Sequence, residues 1–181
     1  TGIVPRCVLE THAGAGVIGS QLWRGAAGVA IDTDRQKAAE LARQRPTWRI
    51  YEGACEPLLA AGLAADLAFD VVDLDPYGSP WAALTAWANS KRARAPRTLL
   101  VVNDGLRRRL KLGVTWRTED MASAVAQFGA DAIYPDYLSV CRWMIEQQAS
   151  AIGATVETFR GFYGGAMKQM SHYYAVLSIP S

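Results

Sequence analysis

Two stretches of this chain combine residue types and spacings that can do chemistry. In the first, Gly14-Ala15-Gly16-Val17-Ile18-Gly19 fits the pattern G-x-G-x-x-G, and Asp32 follows 18 residues after Gly14. Such glycines, placed after a strand and opening a helix, let the backbone approach a nucleotide, and an acid at the tip of the next strand takes the ribose hydroxyls. The pattern alone fits either NAD or S-adenosylmethionine. Glu10 bears on the choice. It ends the preceding strand, and Thr11-His12-Ala13 intervene before the first glycine. An acid there repels a pyrophosphate and suits the ammonium of a methionine moiety.

The second stretch is Val72-Asp73-Leu74-Asp75-Pro76-Tyr77-Gly78-Ser79-Pro80. Asp75-Pro76-Tyr77 falls at the carboxyl end of a strand, where open sheets bind ligands. An exocyclic amine conjugated to a ring has a delocalised lone pair and is a poor nucleophile. The Asp75 carboxylate and the Pro76 carbonyl can accept its two N–H bonds, which localises the lone pair and aims it at a methyl donor. Tyr77 can stack on the ring. Catalysis of this kind works by positioning and electrostatics. Asp73 shares a face with Asp75 by strand alternation. It reads as a structural hydrogen-bonding acid, with a second catalytic acid as the alternative.

These blocks carry a resemblance. Val8-Leu9-Glu10-Thr11-His12-Ala13-Gly14-Ala15-Gly16 resembles the first motif of the class I S-adenosylmethionine-dependent methyltransferases. The resemblance implies that Glu10, Gly14, Gly16 and Asp32 hold the cofactor, with His12 as a further contact. The family often places an acid after the third strand to meet the adenine amino group. Here Ala54 stands at that position, so the contact passes to backbone N–H groups around Ala54 and Cys55 or to Glu56. Asp75-Pro76-Tyr77 resembles the D/N-P-P-Y/F motif of amino-methyltransferases. More closely, Asp73-Leu74-Asp75-Pro76-Tyr77-Gly78-Ser79-Pro80 is similar to the corresponding block of the tRNA guanine-N2 dimethyltransferases, and Val101-Val102-Asn103-Asp104-Gly105 echoes their fifth strand. The chain departs from that family in its first loop, and the sequence stops at the end of the expected sheet, where the family carries a further C-terminal tRNA-binding domain. The amine chemistry therefore transfers better than the tRNA does.

Charge distribution allows a polyanion site, and a solvated surface with scattered partners is the alternative. The chain carries only +2 overall, yet eight basic residues and one acid lie between Lys91 and Lys111. Arg107, Arg108, Arg109 and Lys111 follow the fifth strand on the edge of the expected site and are candidate phosphate contacts, which position a nucleic acid without reading its sequence. Lys91 to Arg97 falls at the opposite edge. Asp104 is a candidate substrate contact. His172, Trp81, Trp87, Trp116 and Trp143 read as packing residues, the tryptophans with base stacking as the alternative. Two histidines and the scattered Cys7, Cys55 and Cys141 give no metal-site spacing and no disulfide framework.

The elements that must position these residues alternate. Strands are expected at 6–10, 28–31, 48–51, 69–74 and 98–102, separated by helical stretches, which means crossover units and a mostly parallel sheet. Asp34 caps a helix over 35–43, and Ser79 caps one that begins near Pro80. Helices at 119–127 and 136–152 follow, the latter with Tyr137, Val140, Cys141, Met144, Ile145 and Gln148 on one face. Strands at 155–162 and 172–179 then complete a seven-stranded Rossmann-like α/β sheet with a C-terminal antiparallel hairpin. A length of 181 residues with 50% apolar and 20% charged residues fits one domain over 1–181, and excludes disorder, collagen and coiled coil. No apolar run is long enough to span a membrane. The chain opens on Thr1 instead of Met and enters a strand almost at once, so residues upstream are expected.

The expectation is an S-adenosylmethionine-dependent N-methyltransferase of the cytoplasm. It acts on an exocyclic amine of a nucleic-acid base, RNA before DNA, with a partner subunit or the upstream segment helping recognition. The alternatives are a DNA adenine-N6 or cytosine-N4 methyltransferase, an NAD-dependent oxidoreductase, and a non-catalytic nucleic-acid-binding domain.

Overall fold

The structure, a computed structural model, describes residues 1–14, 16–111 and 119–180, without the side chains at positions 17, 18, 109, 111, 119 and 120. Five parallel strands come first: β1 (Cys7–Thr11), β2 (Ala27–Asp32), β3 (Arg49–Glu52), β4 (Val71–Leu74) and β5 (Arg97–Asp104). Two antiparallel strands, β6 (Thr155–Gly164) and β7 (Met170–Ser178), complete one sheet of order β3-β2-β1-β4-β5-β7-β6. The order reverses between β1 and β4, whose tips Thr11 and Leu74 are register partners. The loops leaving these tips open the crevice where such sheets take ligands.

Burial on both faces explains the short apolar strands. Leu9, Val29, Ile31, Val72, Leu74, Leu100 and Val102 point to one face. There they pack on α3 (Cys55–Ala60), α4 (Trp81–Asn89), α6 (Glu119–Phe128) and α8 (Tyr137–Ala151) through Leu59, Trp81, Leu84, Met121, Tyr137 and Ile145. The alternate residues Val8, Ala30 and Val71 point to the other face. They meet Trp23 and Ala26, which follow α1 (Val17–Leu22), and Leu41 of α2 (Arg35–Gln44). Each fully buried aliphatic side chain contributes about 1.5–3 kcal/mol of burial.

The expected elements form, with shifted ends. Asp34 caps α2, its carboxylate accepting from the amides of Gln36 and Lys37. The next cap moves by one residue: Pro80 holds the N-cap of α4, and Ser79 accepts from the Trp81 amide at 3.4 Å. Two short helices were not expected, α5 (Leu106–Lys111) and α7 (Ala130–Ile133). The first forms because Leu106 and Leu110, one turn apart, both enter the core.

Candidate active site

The glycine pattern has a steric cause in this fold. Beneath the loop lies a buried ion pair, with Arg45 Nη1 2.5 Å from the Glu10 carboxylate and Arg45 Nη2 2.6 Å from the Gly16 carbonyl. A Cβ on Gly19 would collide with both charged groups, and one on Gly16 with Leu41 and Arg45. Gly14 and Gly16 have φ of +56° and +72°, which side-chain-bearing residues rarely adopt. So Gly16 and Gly19 let α1 lie down on the ion pair. Gly14 has no atom within 4 Å of its missing Cβ and leaves the backbone open to a ligand.

Above the loop a cavity of about 830 Å³ lies at the reversal of the sheet. His12, Gly14, Asp32, Thr33 and Lys37 line one end, and Asp75, Pro76, Tyr77, Gly105, Arg108 and Met170 the other. Asp32 is fixed by two backbone amides, that of Gly14 at 2.7 Å and that of Asp34 at 2.8 Å. Each carboxylate oxygen keeps lone pairs for a further donor. The Asp75 carboxylate accepts no hydrogen bond among the described residues, and the Tyr77 side chain is fully exposed at the rim. The Asp75-Pro76-Tyr77 turn is braced by the Gly105 amide, which donates to the Gly78 carbonyl at 3.0 Å.

His12 has φ +58°, a strained conformation for a residue with a side chain. Its Nδ1 is 3.1 Å from the Thr11 hydroxyl and its Nε2 3.5 Å from Cys55 Sγ. Burial pushes its pKa down, against the opposing charges of Glu56, Asp32 and Asp75. Burial pushes the Cys55 thiol up to about 12. Asp73 accepts from the Trp23 indole at 3.0 Å, as a structural acid would, and burial raises it to about 7.

Several sequence expectations are corrected. Glu10 does not line the cavity: its carboxylate is spent on Arg45, and burial raises its pKa even against that partner. Ala54 is exposed at the N-cap of α3, outside the cavity lining. Asp104 is fully buried and bonds the Leu106 amide and the hydroxyls of Tyr137 and Tyr173, at 2.8, 2.9 and 3.0 Å. It ties β5 to α8 and β7 and has no path to a substrate, and burial raises it to about 6. Arg107 is also internal. Its guanidinium lies between the rings of Tyr134 and Tyr163, at 4.4 and 4.0 Å, and donates to the Lys168 carbonyl. Of the expected phosphate contacts, Arg108 reaches the cavity, and the side chains of Arg109 and Lys111 lie outside the described residues.

Two of the earlier basic residues also turn inward, while Lys91 and Arg97 stay exposed. Arg94 donates to the carbonyls of Trp87, Ala88 and Ser90 at the end of α4, and Arg92 approaches those of Leu59 and Leu63. Trp81 and Trp87 are core residues, Trp143 packs edge-on against Phe128, and Trp116 lies outside the described residues. His172 bonds Asn103 and stacks on Phe162. Sequence reasoning missed Thr33, Lys37 and Gly105 in the lining; the hairpin over 167–170 reads from sequence as packing, with a border of the substrate as the alternative, and its Met170 lines the cavity. Lys37 had a signal, three residues after the cap Asp34 on the first turn of α2, and so had Gly105, next to Asp104 at the tip of the fifth strand. It also missed that His12, Cys55 and Glu56 converge, with ligand atoms within 4.8 Å of one another.

By sequence, no family model and no curated protein matches the chain. Solved structures match over nearly its whole length. yhhF from Escherichia coli, described as a methyltransferase, aligns with a TM-score of 0.59 at 14% identity, covering 99% of this chain and 79% of that one. The N-methyltransferase NodS from Bradyrhizobium japonicum WM9 gives 0.58 at 12% identity, covering 98% and 88%. The plantazolicin methyltransferase BamL, solved with SAH and a desmethylPZN analogue, gives 0.59 at 9% identity, covering 97% and 78%. At these identities the likeness is one of fold, and the fold is that of the class I methyltransferases.

Proposed function

We propose that this chain transfers a methyl group from S-adenosylmethionine to an exocyclic amine of a nucleic-acid base, RNA before DNA, with guanine N2 of tRNA as the first candidate. The observation that carries the reading is the Asp75 carboxylate, which accepts no hydrogen bond among the described residues, set with Pro76 and Tyr77 in the cavity that Gly14 and Asp32 also line. The lining fits the cofactor. Asp32 is fixed for the ribose hydroxyls by the Gly14 and Asp34 amides, Gly14 is open, and Asp75 is a second acid in the lining. S-adenosylmethionine, when bound, supplies an electrophilic methyl group. Asp75 and the Pro76 carbonyl accept the two N–H bonds of the amine and aim its lone pair, and Tyr77 stacks on the ring. Arg108 meets a neighbouring phosphate.

Nucleic acid as acceptor rests on the resemblance of the Asp73 to Pro80 block and on Arg108. The inward turn of Arg107 favours a second reading, a small conjugated amine. Labelled-methyl transfer onto RNA, DNA and small amines tests both. Asp75→Ala lowers transfer by at least about 100-fold, as expected when positioning is lost, and leaves SAH affinity within a few-fold. Near-normal transfer by this variant contradicts the assignment.

A further inference from the structure

One tautomer of the histidine at the cavity wall suits both of its hydrogen-bonding neighbours. The Thr11 hydroxyl donates to the Asp73 carbonyl at 3.4 Å, and a carbonyl can only accept. In the tautomer protonated at Nδ1, the hydroxyl oxygen accepts from His12 Nδ1–H at 3.1 Å. Nε2 then carries the lone pair, and it faces Cys55 Sγ at 3.5 Å. The Glu56 carboxylate completes the trio, with all three ligand atoms within 4.8 Å of one another. A tetrahedral zinc ion with Zn–S of about 2.3 Å and Zn–N of about 2.05 Å sets sulfur and nitrogen about 3.6 Å apart. The observed separation already matches. Thr11 supplies what a metal-bound imidazole needs on its other nitrogen.

We propose that His12, Cys55 and Glu56 form a binding site for a thiophilic divalent cation of the zinc class, and that the ion and the nucleoside cofactor exclude one another. Binding forms Zn–N, Zn–S and Zn–O bonds, and the Cys55 S–H proton leaves to solvent. One thiolate and one carboxylate neutralise the ion, which a half-buried site requires. The excess negative charge around His12, from Asp32 and Asp75 as well as Glu56, also favours a cation. The three ligands leave a fourth position open. His12 lines the cavity, so an ion held there takes up a wall of the nucleoside end. The exclusion rests on the proposed cofactor. The metal site does not.

Cobalt titration of the purified chain tests the site. The expected result is one equivalent bound, with a thiolate-to-cobalt charge-transfer band and tetrahedral visible bands that zinc abolishes. Cys55→Ser removes the charge-transfer band, and His12→Asn weakens binding by more than the roughly 100-fold that losing an outer partner can cost. Cys7→Ser and Cys141→Ser leave both unchanged, and thermal melts confirm that the variants fold. No band, or a band that survives Cys55→Ser, overturns the site. SAH calorimetry at rising free zinc tests the exclusion: apparent affinity falls in proportion to bound zinc in the wild type and not in Cys55→Ser. SAH binding that ignores zinc overturns the exclusion. If SAH fails to bind even without metal, the proposed function falls, and the cobalt band still decides the site.

Discussion

Replacing Arg45 with Met separates the two roles that Glu10 can have. The Glu10 and Arg45 side chains are 4% and 7% exposed as residues, and they meet at 2.5 Å under the glycine loop. Removing one partner of a buried pair costs about 3–5 kcal/mol, because the other charge stays buried. Arg45 also holds the Gly16 carbonyl and lies 4.5 Å from the centre of the Trp48 ring, so the upper end applies. At about 2–4 °C per kcal/mol for a chain of this size, the melting temperature falls by roughly 10–20 °C. The Glu10 carboxyl, already raised by burial, rises further without Arg45. A folded-state pKa above the unfolded one means that the penalty grows as pH rises and shrinks in acid. Adding Glu10→Gln removes the stranded charge. The double-mutant cycle from urea melts then shows a coupling of about 2–3 kcal/mol. Calorimetry with SAH runs alongside. If Glu10→Gln leaves stability unchanged but abolishes SAH binding, Glu10 is a ligand and the structural role is wrong.

Three further outcomes are expected. Asp73 sits at about 7 against 3.8 in the unfolded chain, so its ionisation weakens the fold as pH rises from 4 to 7. Asp73→Asn keeps an acceptor for Trp23, and its stability advantage over the wild type grows by about 2–3 kcal/mol between pH 5 and pH 8; denaturant melts that show no pH dependence in this difference contradict the raised value. Tyr77→Ala leaves the melting temperature unchanged, since the side chain is fully exposed, and costs roughly 1–3 kcal/mol of acceptor binding; an unchanged acceptor KM removes Tyr77 from the site. Arg107→Met loses two ring contacts and the bond to the β6–β7 turn, where Met170 lines the cavity. It raises the acceptor KM and leaves SAH affinity unchanged, and equal loss of both refutes a role confined to the acceptor end.

The sheet and the two loops of the site were legible because their signals are local. Alternating or continuous apolar residues mark a strand, and a glycine loop or an Asp-Pro turn marks where it ends. The partners of the buried charges were not legible. Glu10 and Arg45 stand 35 residues apart, and His12 and Cys55 stand 43 apart. Topology alone brings them together. Asp104 and Arg107 look in sequence like an acid and a base at a strand tip. Their fate was decided by Tyr137 and Tyr173 in one case and by Tyr134 and Tyr163 in the other, all from distant elements. Leu106 and Leu110 flank the arginines and fold them into α5, which removed the open basic loop that charge counting implied.

The central claim is that the cavity at the reversal of the sheet takes a nucleoside methyl donor. Calorimetric titration with SAH and, in parallel, NAD tests it most directly, with Asp32→Ala as the control. Micromolar binding of SAH, no binding of NAD, and loss of SAH binding in Asp32→Ala is the predicted result. Binding of NAD in place of SAH contradicts the account and overturns the methyl-transfer mechanism built on Asp75, Pro76 and Tyr77.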